Sequence, residues 1–393
     1  MSNYDNETTY DIVCPFCFKR FTYHRALFAD YKQLSEAVPE EYAGYMKTFL
    51  GIEEFSARKM PTFFRKEGGT GAEGPFAAVT ASGDIAYARA CPFCCNIIPA
   101  ASGRVKSFSV AVIGSEDGER GYYIASVLHK LNREMSARFG ASFIPADFNT
   151  AQMFYDRYEE PLYVDKTVPE AMTSVSPLVF EYCRRGTVQP EEWVGSKVTY
   201  NRALIYIYNI DKELCDRYPM IADAALTQAG GIVFLSDISG IAGMDEPTND
   251  PWLGHLTGTF RKLFGMDTVD KPSAVVLTNA DRAARADRKL QTVLKNAGAK
   301  RIEKTFPVSY YAKLSAKTEK ILQARLPAYY SVLSAVFDGG NTGYFPANTF
   351  YELQEDGRAD IRDSRACFTS FEWLLAKLGV LPDDSARSFR VKK

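Results

Sequence analysis

The sequence predicts an α/β protein with a mainly parallel sheet, preceded by a small cysteine-containing module. From Ser107 onward, apolar runs rich in β-branched residues alternate with segments whose apolar residues recur at helical spacing. Before that point the chain carries two identical Cys-Pro-Phe-Cys units and a glycine-rich stretch at 68–75. Apolar strands that alternate with amphipathic helices build βαβ units, and a parallel sheet of this kind needs helices on both faces.

The length indicates two structural units. At 393 residues the chain exceeds the size at which a single hydrophobic core usually stops growing. The sequence changes from cysteine units and a glycine-rich stretch to alternating strand and helix patterns. This change predicts a cysteine module at 1–104, with a helical insertion at about 25–80, and an α/β domain at 105–393.

Charge and hydropathy exclude several classes of protein. The net charge is −1, from 47 basic and 48 acidic residues, so composition provides no attraction to phosphate backbones or anionic lipid. The first thirty residues lack the basic start and apolar centre of a signal peptide, and no apolar run approaches about 18 residues. We therefore expect a soluble, cytoplasmic protein, with no membrane partner and no nucleic-acid partner.

The elements of the α/β domain can be predicted individually from their periodicity. Strands are predicted at 107–114, 177–183, 203–209, 231–237, 273–279 and 304–309. Helices are predicted after the first strand, where Ile124, Val127, Leu128, Leu131 and Met135 share one face, and at 251–264, 282–297, 315–337 and 370–379. In the cysteine module, residues 29–50 are expected to form one or two helices broken at Pro39.

The two cysteine pairs predict a metal site. Cys14 and Cys17 form the first Cys-x-x-Cys unit, and Cys91 and Cys94 form the second. Four thiolates match the soft-ligand, tetrahedral preference of structural Zn²⁺. The spacer between the pairs is longer than the roughly 12–20 residues of compact zinc modules, so the insertion must loop out.

Two alternatives to zinc remain open for these cysteines. A Cys-Pro-aromatic-Cys unit also occurs in redox sites, although these carry one copy at a strand-to-helix junction rather than two copies. The site could also be vestigial. Cys95 and His24 lie close enough in sequence to replace a ligand, but we expect both to be bystanders.

The first predicted strand is followed by a degenerate phosphate loop. When Gly114 is aligned with the first glycine of G-x-x-x-x-G-K-[ST], the last three positions are Glu119, Arg120 and Gly121. Glu119 adds negative charge where phosphates would lie, which costs about 4 kcal/mol at roughly 4 Å and an effective dielectric near 20. Gly121 lacks the hydroxyl that holds Mg²⁺. Alternatively, the segment is an ordinary strand-to-helix turn that never bound phosphate.

Several segments, in order, resemble bacterial TRAFAC-class GTPase-like proteins that carry an N-terminal cysteine-knuckle zinc ribbon. YDIVCPFCFKRF and RACPFCCNIIPA look like the two halves of the ribbon, and VAVIGSEDGERGYYIASVL looks like the phosphate-loop strand and helix. The resemblance implies a three-layer P-loop GTPase-like α/β domain, preceded by a small zinc-ribbon-like module with a helical insertion. It also implies that FPVSYY, residues 306–311, is the loop that backs the guanine base.

The resemblance also identifies the remaining positions of the degenerate nucleotide site. IYIYNIDKE is similar to the family's Asp-x-x-Gly-Glu segment, but Asn209 replaces the aspartate that holds Mg²⁺ and Lys212 replaces the glycine that senses the γ-phosphate. VVLTNADR looks like the guanine-specificity strand: Thr278 and Asp281 fit, whereas asparagine stands at the lysine position. GTP and Mg²⁺ are therefore doubtful cofactors.

These departures imply a pseudo-GTPase, a binding or regulatory protein that is not an enzyme. The resemblance makes another protein the expected partner, such as an active GTPase of a bacterial conflict or defence system. The alternative is a nucleotide-binding switch or NTPase in which Arg120 and Lys212 replace the usual lysine and Mg²⁺. A third hypothesis, nucleic-acid recognition by RFTYHR at 20–25, lacks a basic stripe. No nucleophile accompanies His129 or His255, so no catalytic residue is predicted.

Overall fold

The computed structural model describes most of the chain. The described ranges are 9–53, 59–66, 76–114, 117–169, 174–194, 197–239, 251–265, 268–285, 287–297, 304–362 and 365–384. The strands, numbered in chain order, are β1 (Ile12–Val13), β2 (Arg20–Phe21), β3 (Leu27–Ser35), β4 (Met60–Phe64), β5 (Ala78–Val79), β6 (Ile85–Ala86), β7 (Arg89–Ala90), β8 (Ile97–Ile98), β9 (Lys106–Gly114), β10 (Ala141–Pro145), β11 (Leu178–Arg184), β12 (Glu191–Val194), β13 (Lys197–Tyr200), β14 (Arg202–Ile210), β15 (Gly231–Asp237), β16 (Ser273–Thr278), β17 (Thr342–Pro346), β18 (Tyr351–Leu353) and β19 (Ala359–Ile361).

The helices are α1 (Glu40–Leu50), α2 (Asp117–Phe139), α3 (Phe148–Phe154), α4 (Lys212–Arg217), α5 (Pro219–Gln228), α6 (Pro251–Phe264), α7 (Ala280–Ala283), α8 (Arg288–Ala297), α9 (Val308–Arg325), α10 (Pro327–Val336) and α11 (Arg365–Lys377). A π-helix, Tyr155–Asp165, continues α3. None of the described helices has the length and apolar character needed to cross a bilayer.

A seven-stranded sheet forms the centre of the molecule. Its order is β10-β11-β14-β9-β15-β16-β17, and β14, β9, β15, β16 and β17 run parallel to their neighbours within that group. Only the pairings of β11 with β10 and β14 are antiparallel. The sheet is therefore mainly parallel, and the carboxyl ends of β14, β9, β15 and β16 meet at one edge.

Helices cover both faces of this sheet, which gives three layers. Along β9, Val110 and Val112 contribute to the core under α2 and α11, whereas Ala111 and Ile113 contribute to the core under α5, α6 and α10. Side chains of a strand alternate between faces, so a strand buried on both sides needs an uninterrupted apolar run. This requirement explains the uninterrupted apolar run in the buried half of β9, residues 110–113, and the three layers confirm the predicted fold class.

In its described residues the cysteine module consists of small hairpins, helix α1 and a short 3₁₀ helix, Tyr23–Arg25. The antiparallel pair β1–β2 holds the first Cys-x-x-Cys unit in its connection, and the pair β7–β8 holds the second. A four-stranded sheet, β4-β3-β7-β8, joins the β7–β8 hairpin to β3, the strand that follows the β1–β2 hairpin. Helix α1 packs Tyr45 beside the cysteines.

Most predicted elements of the α/β domain are confirmed. The strand at 231–237 and the helix at 251–264 match β15 and α6 at both ends. The helix at 315–337 was expected to be continuous, but Leu326 leaves the helical conformation and Pro327 begins a second helix. The helix at 282–297 is likewise divided between α7 and α8.

Two local predictions are wrong. Residues 304–309 do not form a strand, because α9 begins at Val308 directly after Pro307, which lacks the amide hydrogen that a ladder needs. Residues 29–35 belong to strand β3 rather than to a helix, and helix α1 begins only after Pro39. Pairing of β3 with both β4 and β7 outweighs the local pattern.

Candidate functional sites: the cysteine cluster and the phosphate-loop segment

Each Cys-x-x-Cys unit folds into the same tight turn. The amide of Phe18 donates to the carbonyl of Cys14 at 3.0 Å, and the amide of Cys95 donates to the carbonyl of Cys91 at 2.9 Å. Both donors have positive φ, 58° for Phe18 and 51° for Cys95. The repeated geometry orients the four sulfurs of the two hairpins toward one point.

The four sulfurs form a compact buried cluster. The ligand atoms of Cys14, Cys17, Cys91 and Cys94 all lie within 4.8 Å of one another, and all four residues are buried. The Cys14–Cys94 and Cys17–Cys91 sulfur separations are 3.6 Å and 3.7 Å. A tetrahedral ion with ligand distances of about 2.3 Å requires sulfur separations of about 3.8 Å. The cluster therefore fits a tetrahedrally coordinated metal ion.

Hydrogen bonding and burial favour thiolates stabilised by a cation. The amides of Phe16 and Phe93 each lie 3.4 Å from a cysteine sulfur, Cys14 Sγ and Cys91 Sγ respectively, and donate to it. Burial raises the pKa of the Cys14 thiol well above its ordinary value, so thiolates here need a positive charge beside them. A metal ion would supply that charge.

Cys95 and His24 lie outside the cluster, as expected. Cys95 occupies the left-handed turn position that Phe18 occupies in the first unit, and burial raises its pKa to about 12. His24 is exposed and its ring lies 3.6 Å from that of Tyr23. Neither Cys-x-x-Cys unit lies at a strand-to-helix junction, which removes the structural context of the redox alternative.

The cysteine cluster contacts the central sheet through β14. The Tyr208 hydroxyl, fully buried, donates to the carbonyl of Pro15 at 2.8 Å. The Phe18 and Tyr208 rings lie 5.6 Å apart. The first Cys-x-x-Cys unit is thus held against the residue that precedes Asn209.

The phosphate-loop segment, defined here as residues 114–121, connects β9 to α2, and residues 115–116 lie outside the described part of the chain. Gly114 has φ of 94°, and a Cβ there would overlap the carbonyl of Leu235 on the neighbouring strand. A Cβ on Gly121 would overlap the carbonyl of Pro169, and one on Gly118 would come within 2.6 Å of the Tyr351 hydroxyl. All three glycines therefore permit close approach of other parts of the same chain.

Glu119 is buried and is held by residues at the end of β16. Its two carboxylate oxygens accept hydrogen bonds from Thr278 Oγ1 and Asn279 Nδ2, each at 2.8 Å. The exposed fractions of Glu119, Thr278 and Asn279 are 8%, 0% and 6%, so water contributes little to their solvation. The acidic residue of the degenerate loop is thereby paired with the strand expected to specify guanine.

Arg120 is buried against the end of β14. Its Nε donates to Asn209 Oδ1 at 3.2 Å, and its Nη1 donates to the carbonyl of Gly114 at 2.8 Å. Only 1% of Arg120 is exposed. The guanidinium therefore joins β14 to the start of the phosphate-loop segment from inside the molecule.

Asp281 and Lys212 lie apart from these two pairs. Asp281 Oδ1 accepts from the amide and hydroxyl of Thr349 at 2.6 Å and 2.9 Å, and Arg362 lies 3.8 Å from its other oxygen. Lys212 is exposed at the first position of α4, whose N-cap is Asp211. Hydrogen bonds join five of the eight predicted nucleotide-site residues at this edge of the sheet, as two groups: Arg120 with Asn209 and Gly114, and Glu119 with Thr278.

The segment expected to back the base, 306–311, is not a loop, because its last four residues form the start of α9. It leads into α9, where Tyr311 packs against Phe306. The residue beside Asp281 is instead Thr349, which follows β17. The sequence of β17, TGYFP, is short and contains glycine and proline, so periodicity alone did not reveal it.

His129, on α2, contacts a carboxylate and a tyrosine ring. His129 Nδ1 lies 2.6 Å from Glu159 Oε1, and its ring stacks on that of Tyr163 at 3.8 Å. Burial lowers the pKa of His129 although Glu159 opposes the shift. The side chain of His255 lies outside the described residues.

Comparison with known proteins yields fold likenesses only. No family model and no curated protein matches the sequence. Among solved structures, the GTP-bound GTPase-like domain of Saccharomyces cerevisiae Ski7 is 10% identical with a TM-score of 0.33, covering 74% of this chain and 52% of that one. A protein of an oligomerised bacterial dynamin pair is 9% identical with a TM-score of 0.27, covering 72% and 46%. The chain spans about half the length of these structures.

Proposed function

We propose that this chain is a non-catalytic, GTPase-like binding protein that holds zinc in its cysteine cluster. The observation that carries the proposal is the internal pairing of the phosphate-loop segment, in which Glu119 bonds Thr278 and Asn279 while Arg120 bonds Asn209. The polar groups that would have to face a nucleotide and its metal ion are instead hydrogen-bonded to one another.

Energetic considerations support the absence of nucleotide binding. A triphosphate at this edge would have to displace Glu119 from two buried hydrogen bonds or accept its carboxylate beside a phosphate. Hydrogen bonds to charged groups contribute about 1.5–3 kcal/mol each, so breaking two offsets about 3–6 kcal/mol of binding energy. A loss of about 4 kcal/mol, near the middle of this range, converts a micromolar dissociation constant into a millimolar one.

Zinc is the proposed metal because its four ligands would all be cysteine sulfurs, which would fill a tetrahedral shell and leave no position for a substrate. The ion would fix the two hairpins and hold Pro15 against Tyr208. Its proposed role is structural, and the partner of the folded protein is proposed to be another protein. The resemblance to GTPase-like proteins extends this proposal to an active GTPase.

Isothermal titration with GTP, GDP and ATP, with and without Mg²⁺, tests the proposal. The zinc-loaded protein is expected to show no binding heat at millimolar nucleotide. Magnesium-independent binding that is lost in both Arg120→Ala and Lys212→Ala would contradict it and support the alternative phosphate site. Arg133→Ala, which removes an exposed arginine on α2, is the matched control.

A further inference from the structure

A groove with a cavity volume of about 600 Å³ lies between α8 and α9. Both helices turn their apolar faces inward: α8 buries Leu290 and Val293, and α9 buries Leu314 and Leu322. The groove is formed by Val293 and by side chains that lie next to these buried positions. Its lining consists of Asp287, Arg288, Lys289, Thr292, Val293, Lys317, Lys320, Ile321, Ala324 and Arg325.

The rim of this groove is strongly basic. Five of the lining residues carry a positive charge and one, Asp287, carries a negative charge, which leaves an excess of four positive charges. Arg325 pairs with Asp287 at 2.9 Å. For the other four cations, no carboxylate partner is found within the described part of the chain.

Asp287, the acidic residue of the lining, is bonded to other groups of the protein. Asp287 Oδ1 accepts from the amides of Lys289 and Leu290 at 2.7 Å and 3.1 Å, so it caps the start of α8. Burial by itself would raise the pKa of Asp287, but these amides and Arg325 lower it below its ordinary value. Asp287 is therefore ionised, and its charge is paired with Arg325 rather than with the other four cations of the rim.

The floor of the groove restricts the class of ligand. Val293, Ile321 and Ala324 are aliphatic, and no aromatic side chain lines the groove, so nucleic-acid bases would have nothing to stack on. A lipid surface is bound by protruding apolar side chains, whereas this surface is concave. An acidic amphipathic helix matches both features, because it offers carboxylates to the rim and aliphatic side chains to the floor.

We propose that the α8–α9 groove docks an acidic amphipathic segment of a partner protein. The proposal rests on the proposed function as a binding protein, and it assigns the partner-binding surface to these helices rather than to the sheet edge near Glu119. Attraction between the basic rim and the acidic segment would accelerate association and weaken with salt.

A synthetic probe tests this proposal directly. Fluorescence anisotropy would measure binding of a labelled amphipathic peptide of about 16 residues with Glu on one face and Leu on the other. Lys317→Glu and Lys320→Glu are each expected to weaken binding about five-fold, as is usual for loss of a charge pair plus repulsion. Arg133→Glu, the matched reversal on α2, is expected to change binding less than about two-fold.

Additional binding measurements distinguish the possible outcomes. Replacing Leu by Ser in the peptide is expected to abolish binding, and raising the salt concentration is expected to weaken it. Binding that is insensitive to the groove variants would overturn the proposal, as would tighter groove-dependent binding of single-stranded oligonucleotide or of phosphatidylserine vesicles. Far-UV circular dichroism checks that the variants remain folded. Nucleotide titration is independent of these arms, so failure of the groove and failure of the proposed function can be distinguished.

Discussion

Replacing Glu119 by alanine removes the carboxylate that joins the phosphate-loop segment to β16. In the structure both carboxylate oxygens accept hydrogen bonds at 2.8 Å, from Thr278 Oγ1 and Asn279 Nδ2. All three residues are buried. The variant therefore leaves two donors without an acceptor in a place that water barely reaches.

The size of the effect follows from these contacts. Two hydrogen bonds to a buried charged group contribute about 1.5–3 kcal/mol each, which gives a gross loss of about 3–6 kcal/mol. Relief of the desolvation of the carboxylate offsets part of this loss, so we expect the free energy of unfolding to fall by about 2–4 kcal/mol. Glu119→Gln keeps one acceptor oxygen, so its free energy of unfolding should lie between those of the wild type and the alanine variant.

Urea unfolding of the zinc-loaded protein, followed by tryptophan fluorescence, measures this change as a shift in the midpoint. Combining Glu119→Ala with Thr278→Val forms a double-mutant cycle, in which we expect a coupling energy of about 1–2 kcal/mol. A loss below about 0.5 kcal/mol for Glu119→Ala, or additivity within about 0.3 kcal/mol in the cycle, would refute the reasoning.

Three further predictions concern the rest of the buried network and the cysteine module. Arg120→Met removes the hydrogen bonds that the guanidinium donates to Asn209 Oδ1 and to the carbonyl of Gly114, so its unfolding midpoint should fall by the equivalent of about 2–4 kcal/mol, and a shift no larger than that of Arg133→Met would contradict this. Chelation of the metal should lower the thermal midpoint, and one equivalent of Zn²⁺, measured by atomic absorption, should restore it; full stability without metal would exclude the structural role. Burial raises the pKa of Glu372 from 4.5 to about 7 against the opposing effect of Arg138, so the folded state binds this proton more tightly than the unfolded chain. The stability that protonated Glu372 contributes is fully present below the pKa of the unfolded state and is lost as pH rises through the pKa of the folded state. Glu372→Gln should therefore flatten the change in unfolding midpoint between about pH 5 and about pH 8, and an unchanged slope would contradict the assignment.

The sequence predicted the sheet well because parallel strands buried on both faces need long apolar runs. β15 shows this clearly, since GIVFLSD contains no polar residue until its end and matches the predicted strand at both ends. Strands with a different physical basis were missed or misread. The second half of β3, residues 31–34, is exposed and the strand depends on distant partners, so it lacks the alternating pattern of a half-buried strand.

The cysteine cluster was predictable because each Cys-x-x-Cys unit already fixes two sulfurs locally. The role of Glu119 was only half predictable. Its unfavourable charge was evident from the sequence, but its partners Thr278 and Asn279 lie about 160 residues away and are brought near only by the sheet. The contact of Gly121 with Pro169 could not be inferred for the same reason.

The central claim is that the chain's own side chains occupy the edge of the sheet where a nucleotide would bind. A crystal structure grown with excess GTP and Mg²⁺ tests it most directly. We expect Glu119 to remain within hydrogen-bond distance of Thr278, and Arg120 of Asn209, with no nucleotide density beside Gly114. A bound nucleotide with Glu119 turned away from Thr278 would contradict the account.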